Sequence, residues 1–380
     1  MNGMKRSTGT YEKLGNSNFF IPMALPPENP PLEIGEELTH LYGSAMHRLG
    51  QLNEMALRLP DIKRFIKAYV IKEALLSSAI EGIHTTLLEV FTSPLSGIKP
   101  NKETQLVLNY SRALEESLML MCEHQVPLCS RVILRAHHVL MSISGGEHAD
   151  PGNYRKQAVR VGNLVPPPAS YVPQLMNDLE KYINIDTTLP PLIKAGLMHL
   201  QFETIHPFLD GNGRIGRLLI VLMLIQDNVL QAPILYPSYY FKKNHFEYYQ
   251  RLDRVRTDGD FEGWIYFYLK AIEESSFDAY QRVKDIENLE QESKEKLKKT
   301  MLAENRYNQA ELALMILFQS PIISVTELAK QLKKSYNTAS TLIQQFVALG
   351  VLYEMTEQKR NKLYRFEAYL NLLEKEYGVE

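Results

Sequence analysis

Apolar residues recur at helical spacing over most of this chain, and the breaks in that spacing divide it. Gly35 to Leu59 and Asp61 to Glu81 read as amphipathic helices, and Thr104 to Ile143 as two more, interrupted near Pro127. Two strongly apolar helical patterns follow, Leu192 to Ile205 and Leu218 to Leu230, and helices dominate through Ser276. Pro151 to Pro168 holds a short alternating run ended by prolines, which suits an edge hairpin able to pair with an incoming peptide. Met1 to Pro31 lacks periodicity and reads as an irregular arm with a proline-rich end. Tyr280 to Glu304 carries dense mixed charge, as in Lys284-Asp285-Ile286-Glu287, and reads as a solvated helix joining two domains.

The tail, Tyr307 to Phe366, has a pattern of its own. An apolar helix (Ala310 to Phe318) precedes a helix starting near Thr326 and a longer one from Ser335 to Leu349, which Gly350 ends. Val351-Leu352-Tyr353 and Leu363 to Phe366 then read as strands around a polar turn. The whole predicts a mostly α protein in four parts. These are an N-terminal helical region (1–103), a helical core with a small β-hairpin flap (104–279), a charged helical linker (280–306) and a C-terminal domain (307–380).

Composition narrows the setting. A chain of 380 residues with 45% hydrophobic content can bury a substantial core. Its formal charge of -2 argues against wholesale binding to nucleic acid. No apolar run approaches a membrane span, and Met1 to Asn18 has no signal-peptide core. The two cysteines, Cys122 and Cys129, point to a reducing compartment, so the expected location is cytoplasmic. The histidines show no metal-ligand spacing, and the adjacent pair His137-His138 reads as structural.

Chemistry concentrates between the two apolar helices, in His206-Pro207-Phe208-Leu209-Asp210-Gly211-Asn212-Gly213-Arg214-Ile215-Gly216-Arg217. The glycines open a helix, whose first turn offers unpaired N–H groups and the positive end of the macrodipole to phosphate oxygens. Glycine at 211 and 213 lets the backbone approach a pyrophosphate closely. Asp210 suits Mg2+, which takes one or two carboxylates and fills its shell with water and phosphate. Arg214 and Arg217, three apart, can clamp phosphate oxygens from one helix face, and His206 can accept a proton near neutral pH. Neither a Walker loop nor a dinucleotide fingerprint fits, because the Gly-Lys-Ser/Thr ending and the preceding strand are absent.

These twelve residues resemble the signature of the Fic family, HPFx(D/E)GNGRxxR, at every specified position. The resemblance implies transfer of AMP from ATP to a Tyr, Thr or Ser hydroxyl of a target protein or of the chain itself, with release of pyrophosphate. It implies His206 as the catalytic base, Asp210 as the Mg2+ ligand, and Asn212, Gly213 and Arg214 around the α- and β-phosphates. Arg217 would meet the γ-phosphate, and Gly211, Ile215 and Gly216 complete the nucleotide-binding set. Pro151 to Arg155 and Val159 to Pro168 resemble the family's flap, so Val161, Gly162, Asn163 and Leu164 are expected against nucleotide and target. Asn244 to Trp264 is similar to the segment that packs on the adenosine. Adjacent helical tyrosines point about 100 degrees apart, which leaves one of Tyr248 and Tyr249 to face it; Tyr249 is preferred.

Upstream, Ser77-Ser78-Ala79-Ile80-Glu81-Gly82 matches the family's inhibitory pattern, (S/T)xxxE(G/N). The resemblance implies that Glu81 bonds Arg217 and blocks the productive pose of the γ-phosphate, and that ATP and Mg2+ are the small-molecule requirements. In some relatives the same glutamate orients a water that removes AMP. Relatives of the Doc type phosphorylate instead, but they carry Lys where this chain has Gly213. A non-catalytic reading, a transcription regulator that senses nucleotide, leaves His206 and Asp210 without a task.

The tail resembles a winged helix-turn-helix, with Tyr336 to Leu349 as recognition helix and Glu357 to Lys362 as wing. Residues 324 to 366 carry seven Lys/Arg against three Asp/Glu, a balance of +4 that is modest for a DNA reader. Tyr336, Asn337, Ser340 and Thr341 are placed for bases or phosphates, with no arginine for guanine. Binding DNA and docking protein both stand as roles for it. The expected partners are therefore a target protein along the flap, a second copy of the chain through helical faces, and DNA through the winged helix, with no membrane.

Overall fold

Residues 6–58, 63–95, 99–142, 149–185, 188–300, 304–355 and 362–378 are described by a computed structural model. The described chain begins with an antiparallel hairpin, β1 (Gly9–Leu14) and β2 (Ser17–Pro22), which corrects the expectation of an irregular arm. It turns at Gly15, whose φ of +60° a glycine adopts without strain. The signal was hidden because β1 exposes Tyr11 and Leu14 and so shows no clean alternation, while β2 buries the adjacent Phe19 and Phe20. Phe20 N–H donates to the Val165 carbonyl at 2.9 Å, joining this hairpin to the flap segment.

Helices follow: α1 (Glu36–Arg58), α2 (Lys63–Ile80), α3 (Leu87–Thr92), α4 (Lys102–Leu118), α5 (Ser130–Met141), α6 (Val172–Ile185), α7 (Pro191–Ile205) and α8 (Asn212–Gln226). Thr86 and Glu89 form a reciprocal capping box on α3, and Asn101 caps α4. Nearly every residue of α7 and α8 is buried, the state expected of helices apolar on all sides. They pack against each other at the centre, α8 against α2, α4 and α5, so the motif joining them opens from the middle of the fold.

α9 (Ser238–Lys243) and α10 (His245–Asp258) lead into α11 (Phe261–Thr300), a single helix of 40 residues. The boundary placed at 279/280 falls inside it, and its charged half is not solvated all round. Arg282, Val283, Ile286, Glu290, Ser293 and Leu297 form a buried stripe at spacings of three and four, covered by the C-terminal elements. The mixed charges occupy the other face, as in the pair Lys294–Glu290 at 2.9 Å.

The C-terminal region comprises α12 (Glu304–Gln319), β3 (Ile322–Ser324), α13 (Val325–Leu332), α14 (Tyr336–Ala348), β4 (Tyr353–Glu354), β5 (Leu363–Arg365) and α15 (Glu367–Glu374). Its strands lie in the order β3-β5-β4, all antiparallel. The residues assigned to the wing fall mostly outside the described ones, since 356–361 are not described. This region packs on α2, where Lys72 Nζ donates to the Leu373 carbonyl at 3.0 Å. Among the described residues, no helix is long and apolar enough to cross a membrane.

Candidate functional site

The site is the corner between α7 and α8. His206 ends α7 in the left-handed region (φ 49°, ψ 63°), and Gly211, also left-handed at φ 80°, starts α8. Two reversals within six residues turn the chain back, and both burial and hydrogen bonds hold them. Asn212 Oδ1 accepts from Phe208 N–H at 2.8 Å while its Nδ2 donates to the Phe208 carbonyl at 2.9 Å. The Asn212 side chain is thus spent on the loop, and its offer to a phosphate is the backbone N–H alone.

His137, read from sequence as structural, braces the same loop from α5. Its Nδ1 accepts from Gly152 N–H at 3.0 Å, so Nε2 carries the proton and donates to the Asp210 carbonyl, also at 3.0 Å. Its ring stacks on Phe208 with centroids 3.7 Å apart. Burial pushes its pKa down to about 4, so it serves neutral.

His206 is neutral for the same reason. Burial first, with the Arg155 charge adding to it, lowers it to about 4 against a raising hydrogen bond donated to the Glu203 carbonyl. That carbonyl lies 3.3 Å from Nδ1 and accepts its hydrogen bond, which leaves the Nε2 lone pair able to accept a proton.

Donors able to bind a phosphate converge at the start of α8. The N–H groups of Asn212, Gly213 and Arg214 form the first turn of α8, whereas that of Ile215 is already taken by the Gly211 carbonyl at 3.0 Å. Arg214 is buried; its Nη2 reaches Asp210 Oδ1 at 3.3 Å, and its Nε and Nη1 have no partner among the described residues. Buried guanidinium donors without acceptors are costly, and an anion at this spot would satisfy them. Ile215 and Gly216, also expected in the nucleotide-binding set, pack inward. Ile215 is a core side chain, and Gly216 packs on α7 so tightly that a Cβ would collide with Glu203 Oε1.

Arg217, fully buried, is held from α2. Its Nε donates to Ser77 Oγ and its Nη2 to the Ser77 carbonyl, both at 2.9 Å, and Nη2 also reaches Glu81 Oε1 at 2.7 Å. Burial alone would raise the Glu81 pKa, but the Arg217 charge and hydrogen bond hold it below the usual carboxylate value. Burial opposes the Arg217 charge, and Glu81 more than restores it, lifting its pKa above the ordinary arginine value. Glu81 sits so close to the start of α8 that a Cβ on Gly213 would overlap its carboxylate.

A cavity of about 590 Å³ opens beside the corner. The flap residues Val161, Gly162, Asn163 and Leu164 form one wall and Tyr249, Phe246, Gln250 and Asp253 of α10 the other. Tyr249 faces this space, whereas Tyr248 is buried and hydrogen-bonded to His199 Nε2 at 2.8 Å. The flap is slighter than a strand hairpin: one bridge, Val161 to Leu164, closes it with two 2.9 Å bonds. Pro166, Pro167 and Pro168 end the ladder because proline cannot donate to it.

Glu203 was missed by sequence reasoning. It lines the cavity, its Oε1 has no hydrogen-bond partner among the described residues, and burial pushes its pKa up to about 8. The face of α10 that lines the cavity recurs at His245, Tyr249, Leu252 and Arg256, a helical spacing that was available to find it. For Mg2+ the donor set is narrow. Among the described residues no three His, Cys, Asp or Glu side chains cluster to hold a metal, and Asp210 alone, largely exposed, stands at the phosphate end. One carboxylate fits an ion whose remaining ligands are water and phosphate.

Comparison with known proteins agrees with this geometry. Residues 127–224 match the model of the Fic/DOC family, and residues 39–119 that of the Fic/DOC family N-terminal region. The chain is similar to the protein adenylyltransferase Fic of Drosophila erecta, 31% identical over 148 residues, covering 38% of this chain and 28% of that one. With the Drosophila melanogaster protein of the same name it shares 34% over 125 residues, 32% of this chain and 24% of that one. The chain therefore spans about a quarter of the length of these relatives. A Fic family protein from Desulfovibrio desulfuricans superposes with a TM-score of 0.56 at 23% identity, covering 89% of this chain and 98% of that one. Fic-1 (residues 134–508) from Caenorhabditis elegans superposes with a TM-score of 0.54 at 21% identity, covering 67% and 74%. Both show a shared fold.

Proposed function

The chain belongs to the Fic/DOC family, and from that premise we propose that it transfers AMP from ATP to a Tyr, Thr or Ser hydroxyl of a target protein or of itself. The observation that carries this reading is Arg214, whose unpartnered, buried donors sit at the helix N-terminus that follows a neutral His206. His206 Nε2 takes the hydroxyl proton, the freed oxygen attacks the α-phosphorus, and the bond to the β-phosphate oxygen breaks to release pyrophosphate. The N–H groups of Asn212, Gly213 and Arg214, with Arg214 itself, stabilise the charge that grows on the phosphates. The cavity between the flap and Tyr249 takes the adenosine, and the target segment lies along the flap. Asp210 would hold Mg2+, which when bound neutralises phosphate charge and orients the leaving group.

Glu81 is an internal brake in this reading. While it pairs with Arg217 at 2.7 Å, the guanidinium is unavailable to the γ-phosphate. A block of ten- to a hundredfold needs only about 1.4 to 2.8 kcal/mol, within the reach of such a pair. The test is an AMP-transfer assay with labelled ATP and Mg2+, comparing the intact chain with Glu81→Gly and with Glu81→Gly/His206→Ala. Labelling that rises in the first variant and vanishes in the second supports the reading; equal silence in all three, with ATP bound, overturns it.

The C-terminal region, with its strand order β3-β5-β4 around α13 and α14, supports a winged-helix module. Its exposed α14 face carries Tyr336, Asn337, Thr341 and Gln344, preceded by Lys333 and Lys334. That face suits contact with phosphates more than base reading; a salt titration of DNA binding tests it. The same reading places the enzyme in the cytoplasm, where Cys122 and Cys129 stay reduced.

A further inference from the structure

Arg155 is a buried guanidinium whose side-chain hydrogen bonds all go to main-chain carbonyls. Its Nε donates to the His206 carbonyl at 2.8 Å and its Nη2 to the Ile205 carbonyl at 3.3 Å, both at the end of α7. The same Nη2 donates to the Pro167 carbonyl at 2.6 Å, and Nη1 to the Gln157 carbonyl at 3.0 Å, one on each side of the flap turn. Its own N–H reaches the Pro207 carbonyl at 2.9 Å. One residue thus ties three successive carbonyls of the catalytic corner to both limbs of the flap. No carboxylate pairs with it among the described residues, so its charge stands uncompensated. Only a planar fork of five donors spans such a set, and lysine cannot.

We propose that Arg155 is a positioning residue for the transfer: it fixes the flap at a set distance from His206 and places a permanent positive charge beside the imidazole. This rests on the reading of His206 as the base. The groups facing His206 are Glu81 from α2, the Glu203 carbonyl from α7, Asp210 from the corner and Arg155 from the flap. Of these, Arg155 alone is cationic. Burial lowers the Arg155 pKa to about 10, which leaves it charged at neutral pH. It therefore opposes a proton on His206 while its bonds hold the left-handed corner in place.

The experiment uses the full chain in the Glu81→Gly background, with Arg155→Lys, Arg155→Met and Arg155→Gln. Two quantities are read: the His206 imidazole titration by NMR, assigned by its loss in His206→Gln, and kcat and KM for AMP transfer against pH. The neutral variants are expected to move the His206 titration upward by about half a unit or more, since a nearby like charge has been removed. Arg155→Lys keeps the titration near that of the parent yet loses about tenfold in kcat, because the flap limbs are no longer held together. If Arg155→Met fails to fold, Arg155→Gln supplies the neutral case, and the kcat of Arg155→Lys decides the positioning part by itself. An unmoved titration in the neutral variants overturns the charge role, and a parental kcat in Arg155→Lys overturns the positioning role. Should the Glu81→Gly parent transfer no AMP, the proposed activity falls, while the NMR titration still decides what the Arg155 charge does.

Discussion

Gly213 and Glu81 occupy neighbouring space that admits no side chain at 213: a Cβ there would overlap Glu81 Oε1 and press to 2.9 Å from Arg217 Nη1. In the proposed reading, the glycine that lets a phosphate approach α8 is also the glycine that seats the Glu81 carboxylate. Gly213→Ala should therefore push Glu81 off Arg217. Because the same methyl stands where the proposed phosphate approaches, AMP transfer is not expected to rise as it does in Glu81→Gly, and adding Gly213→Ala to Glu81→Gly should lower transfer by roughly tenfold, about 1.4 kcal/mol. Undiminished AMP transfer in the double variant would sink the shared-space argument.

In the proposed transfer, His206 sets the acid limb. Its pKa is held down to about 4 by burial, with the Arg155 charge assisting. As a base it works only when unprotonated, so kcat/KM in the Glu81→Gly background should stay level on acidification past the ordinary histidine range. It should fall about tenfold per unit once the pH drops below about 4. An acid limb centred near 6.5 would mean that the imidazole is far more solvated than its place in the fold implies.

How much of this was legible in sequence depended on where each partner lies. His206, Asp210, Arg214 and Arg217 stand within twelve consecutive residues, and the helical patterns on either side announce the corner that gathers them. Ser77 and Glu81 lie 140 and 136 positions from Arg217, yet their one-turn spacing on an apolar helix marked them. Arg155 carried no such mark, because its partners are carbonyls and every residue has one. Nor did the N-terminal hairpin, whose exposed Tyr11 is fixed by Arg256 of α10 rather than by burial. Ile215 sits inside the motif, but its side chain faces the core.

Glu203 predicts a stability change that depends on pH. Burial raises its pKa from 4.5 to about 8. The folded chain keeps that proton between these values while the unfolded chain releases it. The contribution to stability is thus complete below 4.5 and is lost as the pH rises toward 8. Glu203→Gln keeps the shape and removes the titration. Its melting temperature relative to the parent should climb steadily from pH 5 to 8, by up to about 1.4 kcal/mol per pH unit in free energy. A constant difference across that range would show that Glu203 is ionised in the fold.

The C-terminal region is joined to the core by a charge cluster that has little exposure to water. Arg282 and Asp278, both fully buried on α11, pair at 2.8 Å, and Asp278 also accepts the N–H of Tyr377 at 2.9 Å. Arg282 Nη2 donates to the Lys375 carbonyl at 2.5 Å, so the same pair holds the segment after α15. Arg282→Met strands a buried carboxylate and should cost on the order of 3 kcal/mol. Asp278→Leu should cost a similar amount by stranding the guanidinium, and the double variant should recover much of either loss. Urea unfolding of the four chains measures the coupling. If the two single costs add in the double variant, the pair contributes nothing as a pair and the packing around Tyr236 and Tyr377 carries the joint.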